Sequence, residues 1–164
     1  MRVPSEKIVA FSDLISHAKA LRSQGRRLVT TNGCFDLLHL GHLNYLQEAR
    51  LLGDCLWVGL NSDASVKRLK GAQRPLQTES VRALQLAALE AVDFVTVFGE
   101  DTPEAFLEGV RPFLHVKGGD YDVSRLPERH IVERGGGKVQ CLSLTQGFST
   151  TGLVEKIKNG GNFL

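Results

Sequence analysis

The run Thr31-Asn32-Gly33-Cys34-Phe35-Asp36-Leu37-Leu38-His39-Leu40-Gly41-His42 joins a short apolar segment (Leu28, Val29) to a helical pattern (Leu43, Leu46, Ala49, Arg50). Its order is strand, glycine-bearing turn, helix start. Backbone N–H groups at a helix N-terminus point toward anions, and the helix dipole favours negative charge there. Residues three apart share a helix face, so His39 and His42 present both imidazoles to one phosphate. Thr31 and Asn32 offer side-chain hydrogen bonds, and Gly33, Cys34 and Phe35 form the turn on which a nucleotide would rest. Gly41 leaves room for close approach. Asp36 has two readings, a cap on the turn or a buttress for a histidine.

The surrounding pattern alternates strands with helices. A helix is predicted over 12–24, capped by Ser12, with Leu14, Ile15, Ala18 and Leu21 on one side and Gly25 as its stop. Strands follow at 27–32, Cys55–Leu60, Asp93–Phe98, Phe113–Lys117 and Lys138–Leu144. Between them lie helices at 42–52, 63–69 and 79–91, the last capped by Thr78. Another begins at Thr102-Pro103-Glu104, and a final one runs from Ser149 or Thr150 to about 158. The continuous apolar run Cys55–Leu60 suits a strand buried on both faces of a parallel sheet. Right-handed βαβ crossovers then give a three-layer αβα, Rossmann-like domain over 1–164, with a helical extension at 1–25 and a frayed tail at 159–164.

Ligands in such sheets bind beyond the carboxyl ends of the strands. Three polar segments follow strands and are expected on that edge: 31–42, Asn61-Ser62-Asp63, and Lys117-Gly118-Gly119-Asp120-Tyr121. Lys70 and Arg74 frame a loop with Gly71 and Pro75, supplying a point charge and a bidentate fork. Ser149, Thr150 and Thr151 place hydroxyls and free N–H groups at a helix start, a second anion cradle. Arg82 lies on the next helix. Glu128, Arg129 and His130 read as an exposed helix.

Gly33-Cys34-Phe35-Asp36 with His39-x-Gly41-His42 resembles the signature of the HIGH-motif nucleotidyltransferase superfamily, in its cytidylyltransferase-like branch. Taken in order with Gly59-Leu60-Asn61-Ser62-Asp63, Lys70-Gly71-x-x-Arg74-Pro75, Val116–Tyr121 and Gly147–Thr151, it is similar to the adenylyltransferase domains of ADP-heptose synthases, over about Lys7 to Ile157. The resemblance implies a sheet order of 3-2-1-4-5 and transfer of AMP from ATP to D-glycero-D-manno-heptose 1-phosphate, releasing pyrophosphate. His39, His42 and Lys70 are then catalytic. Thr31, Asn32, Gly33, Cys34, Phe35, Gly41, Lys117, Gly118, Asp120, Ser149, Thr150 and Thr151 bind nucleotide, and Asn61, Asp63 and Arg74 bind the acceptor. Magnesium would arrive mainly on the substrate phosphates. A separate heptose kinase would supply the sugar phosphate, and a homodimer is common among such proteins. Where relatives carry Arg or Lys after the Ser-Thr segment, Gly152 stands here, which weakens a cationic pyrophosphate clamp. Two rivals stay open: a cytidylyltransferase for glycerol 3-phosphate or a similar alcohol phosphate, and a nucleotide-binding protein without catalysis.

Composition narrows the alternatives. The chain has 164 residues, 42% hydrophobic and 23% charged, with a net charge of +2. That suits one domain with its own core and gives no bulk charge for nucleic-acid binding. Cys34, Cys55 and Cys141 are odd in number and lack C-x-x-C spacing, so neither a disulfide framework nor a zinc site is expected. Cys55 and Cys141 read as core residues. No apolar run approaches the roughly 20 residues of a membrane span, and the first residues lack a signal-peptide core, so the expected location is cytoplasmic.

Overall fold

The computed structural model describes residues 2–119, 122–143 and 145–160. Five strands, β1 (Leu28–Gly33), β2 (Cys55–Asn61), β3 (Phe94–Phe98), β4 (Leu114–Gly118) and β5 (Lys138–Leu142), form one all-parallel sheet in the order β3-β2-β1-β4-β5. This is the expected order. Every residue of β2 is buried, as its unbroken apolar run requires.

Helices cover both faces. Against one lie α2 (Leu40–Leu51) and α4 (Glu79–Ala88), whose Leu46, Ala49, Ala83 and Leu86 pack on Val29, Leu56, Val58 and Val95. Against the other lie α1 (Leu14–Ser23), α5 (Glu104–Val110) and α6 (Arg129–Arg134), packing on Leu28, Trp57 and Phe94. Phe106 of α5 sits over Gly59, where a Cβ would come within 2.9 Å of its ring. Two more helices, α3 (Asp63–Lys70) and α7 (Thr150–Lys158), complete the chain. Among the described residues no helix is long and apolar enough to cross a membrane.

The segment at 1–25 is more than an appendage. Leu14 and Ala18 are fully buried, and Leu14 fills the space over Gly109 of α5. Burying a leucine contributes about 2 kcal/mol, so α1 is a working part of its layer. Upstream, the Val9 N–H donates to the Val95 carbonyl at 2.8 Å, which covers the outer edge of β3. Lys7 Nζ donates to the carbonyls of Leu89 and Val92, capping the end of α4.

Several local expectations shift. Helix α1 starts at Leu14 after a 3-10 turn at Phe11–Asp13, so Asp13, not Ser12, is its N-cap. Ile15 is 65% exposed, because adjacent helical positions diverge and the buried stripe follows Leu14 and Ala18. Helix α4 ends at Ala88, where Leu89 turns extended. Helix α5 takes Pro103, not Thr102, as its N-cap. Cys55 is buried, whereas Cys141 is only half-buried on β5. Most of the expected frayed tail, 161–164, lies outside the described residues.

Strand order reverses between β1 and β4, so their connections leave the sheet on opposite sides and open a crevice at the carboxyl ends.

Candidate active site

A cleft of about 740 Å³ opens at that crevice. It brings together Asn32, Gly33, Cys34, Phe35, His39, Gly41, His42, Lys70, Arg74, Lys117, Gly118, Ser149, Thr150 and Thr151 from the sequence-based set. Asp120 lies outside the described residues. Thr31, Asn61 and Asp63 do not line the cleft. Tyr45, Asp36, Val66, Leu69, Thr145 and Phe148 do.

His39 is the N-cap of α2, and its Nδ1 accepts from the His42 N–H at 3.3 Å. That bond folds the His39 ring over the first turn, where it stacks on His42 with centroids 3.8 Å apart and planes 20° from parallel. The Phe35 ring covers His42 from another side at 5.1 Å. Phe35 itself adopts φ 43°. This left-handed conformation is costly for a bulky residue and is held by its buried ring. Burial, then the neighbouring His39, pushes His42 down to about 4, against the raising effect of the Leu37 carbonyl. Burial lowers His39 as well. Both rings are therefore neutral at pH 7. With Nδ1 of His39 accepting, its proton sits on Nε2 and is free to donate.

Asp36 proves to be neither a turn cap nor a histidine buttress. It accepts from Arg74 Nη1 at 2.8 Å and from the N–H groups of Leu76 and Gln77 at 2.8 and 3.1 Å. Burial alone would raise its carboxyl, but the Leu76 N–H, Arg74 and the Gln77 N–H together hold it below the ordinary range. Asp36 thus clamps the 74–77 loop to the cleft and occupies the Arg74 fork. Lys70, at the end of α3, has no ion-pair partner among the described residues and lines the same cavity.

The Asn61-Ser62-Asp63 segment serves the scaffold. Ser62 Oγ caps α3 by accepting from the Ser65 N–H, and buried Asn61 donates to Ser65 Oγ at 3.0 Å. Asp63 Oδ1 accepts from Arg82 Nη2 at 2.7 Å. Arg82 is fully buried and also donates to the carbonyls of Gln77 and Cys34, at 3.0 and 2.6 Å. It braces the turn at Cys34 without lining the cavity. Thr31 is equally internal, 2.7 Å from Tyr45 Oη, which donates on to the Val116 carbonyl. A short polar cluster after a strand gives the same sequence signal whether it caps a helix or meets a ligand; position off the cleft and protein partners distinguish these residues.

Ser149 Oγ caps α7 through the Gly152 N–H at 3.0 Å, and Thr150 Oγ1 donates to the Leu37 carbonyl. Glu128 is a correction: it is buried, not exposed, and pairs with Lys117 at 2.9 Å. Its neighbour His130 is exposed, as expected. Burial pushes the Cys34 thiol up, partly offset by Lys70 and Arg82, so it stays protonated and is a poor nucleophile.

The donor set bears on metal binding. Among the described residues no group of three His, Cys, Asp or Glu side chains is placed to hold a metal ion. Among the described residues Asp36 is the carboxylate that lines the cleft, and it is already occupied. These described residues are compatible with magnesium delivered on phosphates with its waters.

Known proteins are similar in sequence and fold. The sequence is 54% identical over 154 residues to the "Bifunctional protein HldE" of Geotalea uraniireducens, covering 94% of this chain and 31% of that protein. It is 49% identical to the protein of that name from Pseudomonas paraeruginosa, covering 94% and 32%. The chain thus spans about a third of the length of the curated relatives it matches. The crystal structure of the lipopolysaccharide core biosynthesis protein from Thermoplasma volcanium superposes with a TM-score of 0.62 at 29% identity, covering 74% of this chain and 98% of that one. The cytidylyltransferase-like family profile matches residues 30–137, and with the parallel sheet and paired histidines in place the chain belongs to that family of nucleotidyltransferase enzymes.

Proposed function

We propose that the cleft transfers AMP from ATP to D-glycero-D-manno-heptose 1-phosphate, giving ADP-heptose and pyrophosphate. The observation that carries this reading is the stacked His39–His42 pair at the start of α2, facing a cavity that Lys70, Lys117 and the 149–151 helix start also line. The ordered motifs resembling heptose 1-phosphate adenylyltransferases support the choice of acceptor, as does the likeness to the lipopolysaccharide core biosynthesis protein of Thermoplasma volcanium.

In this reading an oxygen of the sugar phosphate attacks the α-phosphorus in line. A new P–O bond forms as the bond to pyrophosphate breaks, and no covalent enzyme intermediate is needed. The protein's part is positioning and charge stabilisation. Neutral His39 and His42 donate N–H groups to the non-bridging α-oxygens, where charge gathers in the five-coordinate state. Lys70, with no ion-pair partner among the described residues, contributes a positive charge in the same cleft. The N–H groups at the start of α7 take the β- and γ-phosphates. When bound, magnesium would neutralise the phosphates and favour departure of pyrophosphate.

The test is pyrophosphate release by the purified chain with ATP or CTP, each against heptose 1-phosphate and glycerol 3-phosphate. Turnover with ATP and the heptose phosphate is expected. A clear preference for CTP with glycerol 3-phosphate would replace this reading by the cytidylyltransferase one.

A further inference from the structure

Lys117 and Glu128 form an ion pair in the wall of the cleft, Nζ to Oε1 2.9 Å. The carboxylate is 4% exposed, whereas the lysine is 23% exposed and lines the cavity. An ammonium has three N–H donors. One reaches Asn32 Oδ1 at 3.1 Å. The contact with Glu128 is an ion pair: the buried Oε1 has no hydrogen-bond partner among the described residues. Behind the pair lies His115 of β4, fully buried, with Nδ1 2.9 Å from Thr30 Oγ1 and Nε2 3.9 Å from the same Glu128 oxygen. Burial, then the Lys117 charge, pushes His115 down to about 3, so it is neutral and gives the carboxylate no counter-charge. Lys117 is the only cation paired with Glu128 among the described residues.

A desolvated carboxylate is costly unless it is paired, and Glu128 has no local duty that explains it. It occupies the N-cap position of α6 but makes no side-chain cap bond. Its side chain is turned toward the cleft wall instead. We propose that Glu128 is a positioning residue: its ion pair holds the Lys117 ammonium beside Asn32 so that an N–H not taken by Asn32 is aimed at an oxygen of the bound substrate. Because the pair is formally neutral, Lys117 adds a directed donor without net charge. Lys70 differs, bringing charge with no carboxylate attached. This inference rests on the adenylyltransferase reading above.

The experiment compares steady-state turnover and thermal melting for the parent chain, Glu128→Gln, Lys117→Met and the double variant. Glu128→Gln should lower kcat about tenfold with little change in KM for ATP, because misaimed donors cost rate more than binding. Added to Lys117→Met it should slow turnover no further, since its effect runs through Lys117. Lys117→Met should melt lowest, with Glu128 left buried and unpaired. The double variant should recover much of that melting midpoint without recovering turnover. Should Lys117→Met fail to fold, a folded double variant supports the coupling, and failure of both overturns it. Parent-like turnover of Glu128→Gln, or a further tenfold loss on top of Lys117→Met, overturns the proposal while leaving the function standing. A parent chain silent with every triphosphate and acceptor overturns the function itself, and this inference with it.

Discussion

The two walls of the cleft are built to different standards. The wall at 31–42 is braced from behind: Arg82 holds the Cys34 carbonyl, Asp36 gathers Arg74 and two backbone N–H groups, and Phe35 is wedged against His42. The wall at 145–151 is lightly moored. Helix α7 has no buried residue among those described, and the Thr150–Leu37 and Asn44–Thr145 bonds tie its approach to the rest. Few buried contacts mean a lower cost of local opening. On the proposed chemistry, positional accuracy is concentrated where the α-phosphorus reacts. Capture of the outer phosphates falls to a helix end free to adjust.

The sharpest way to break this contrast is His42→Ala. A donor whose bond strengthens in the transition state affects rate more than ground-state binding. Removing one such donor costs about 10²- to 10³-fold in kcat, so pyrophosphate release should fall by that order while KM for ATP stays within about threefold. Equal losses in both would mean that His42 serves capture, and the division between the walls would fail.

Acid should act on the buried histidines, His42 in the braced wall and His115 on β4, and spare α7. His42 and His115 are held neutral, at about 4 and about 3 when folded, against an ordinary 6.5. Below pH 6.5 the unfolded chain takes up protons that the folded chain refuses, so stability present at neutral pH is lost as pH falls from 6.5 toward those values. For fully buried His115 the slope is roughly 1.4 kcal/mol per pH unit. Helix α7 contains no histidine. Melting midpoints should drop clearly between pH 7 and pH 5, and His115→Phe should flatten the drop. An unchanged midpoint would show that neither ring is held as described.

Sequence made one wall far more legible than the other. The 31–42 run carries its own spacing, so the strand, the turn and both histidines were readable together. The sheet order came only through the resemblance to a family, because periodicity locates strands without ordering them. What stayed hidden were the braces. Asp36 was readable as a cap or a histidine buttress and Arg82 as a residue near the site, but their actual partners appear only when the fold sets the 74–82 segment against the turn. Glu128 sits in a polar stretch, Glu128-Arg129-His130, that resembles any solvated helix start, and only the partner on β4 reveals it as buried. Asn61 and Asp63 were ambiguous in the other direction: a polar triplet after a strand signals a helix cap as readily as a ligand, and the fold sets them on Ser65 and Arg82, off the cleft.

Gly41→Ala probes the seam between the walls. A Cβ there would lie 3.1 Å from both Cε1 and Nδ1 of His39 and 3.4 Å from Cβ of Phe148. The His39 ring must give by a few tenths of an ångström, and the stack on His42 moves with it. Alanine is a better helix former by about 1 kcal/mol, so melting should hold or rise while kcat falls about tenfold. A loss of stability with turnover intact would show that the glycine serves packing alone.

Ser149→Ala addresses the lightly moored wall and should have the smallest effect. It removes the hydroxyl that caps α7 through the Gly152 N–H, a loss of about 1 kcal/mol to the local helix start. Because α7 buries no residue, that cost should stay within the helix and leave the global melting midpoint nearly unchanged. The freed Gly152 N–H remains a donor, but one less well aimed. KM for ATP should therefore rise several-fold, by about the factor of ten that 1.4 kcal/mol represents at most, with kcat within about twofold. The effect should fall mainly on binding, the reverse of His42→Ala. If Ser149→Ala instead lowers kcat as far as His42→Ala does, the helix start takes part in the bond-breaking step, and both walls answer to one demand.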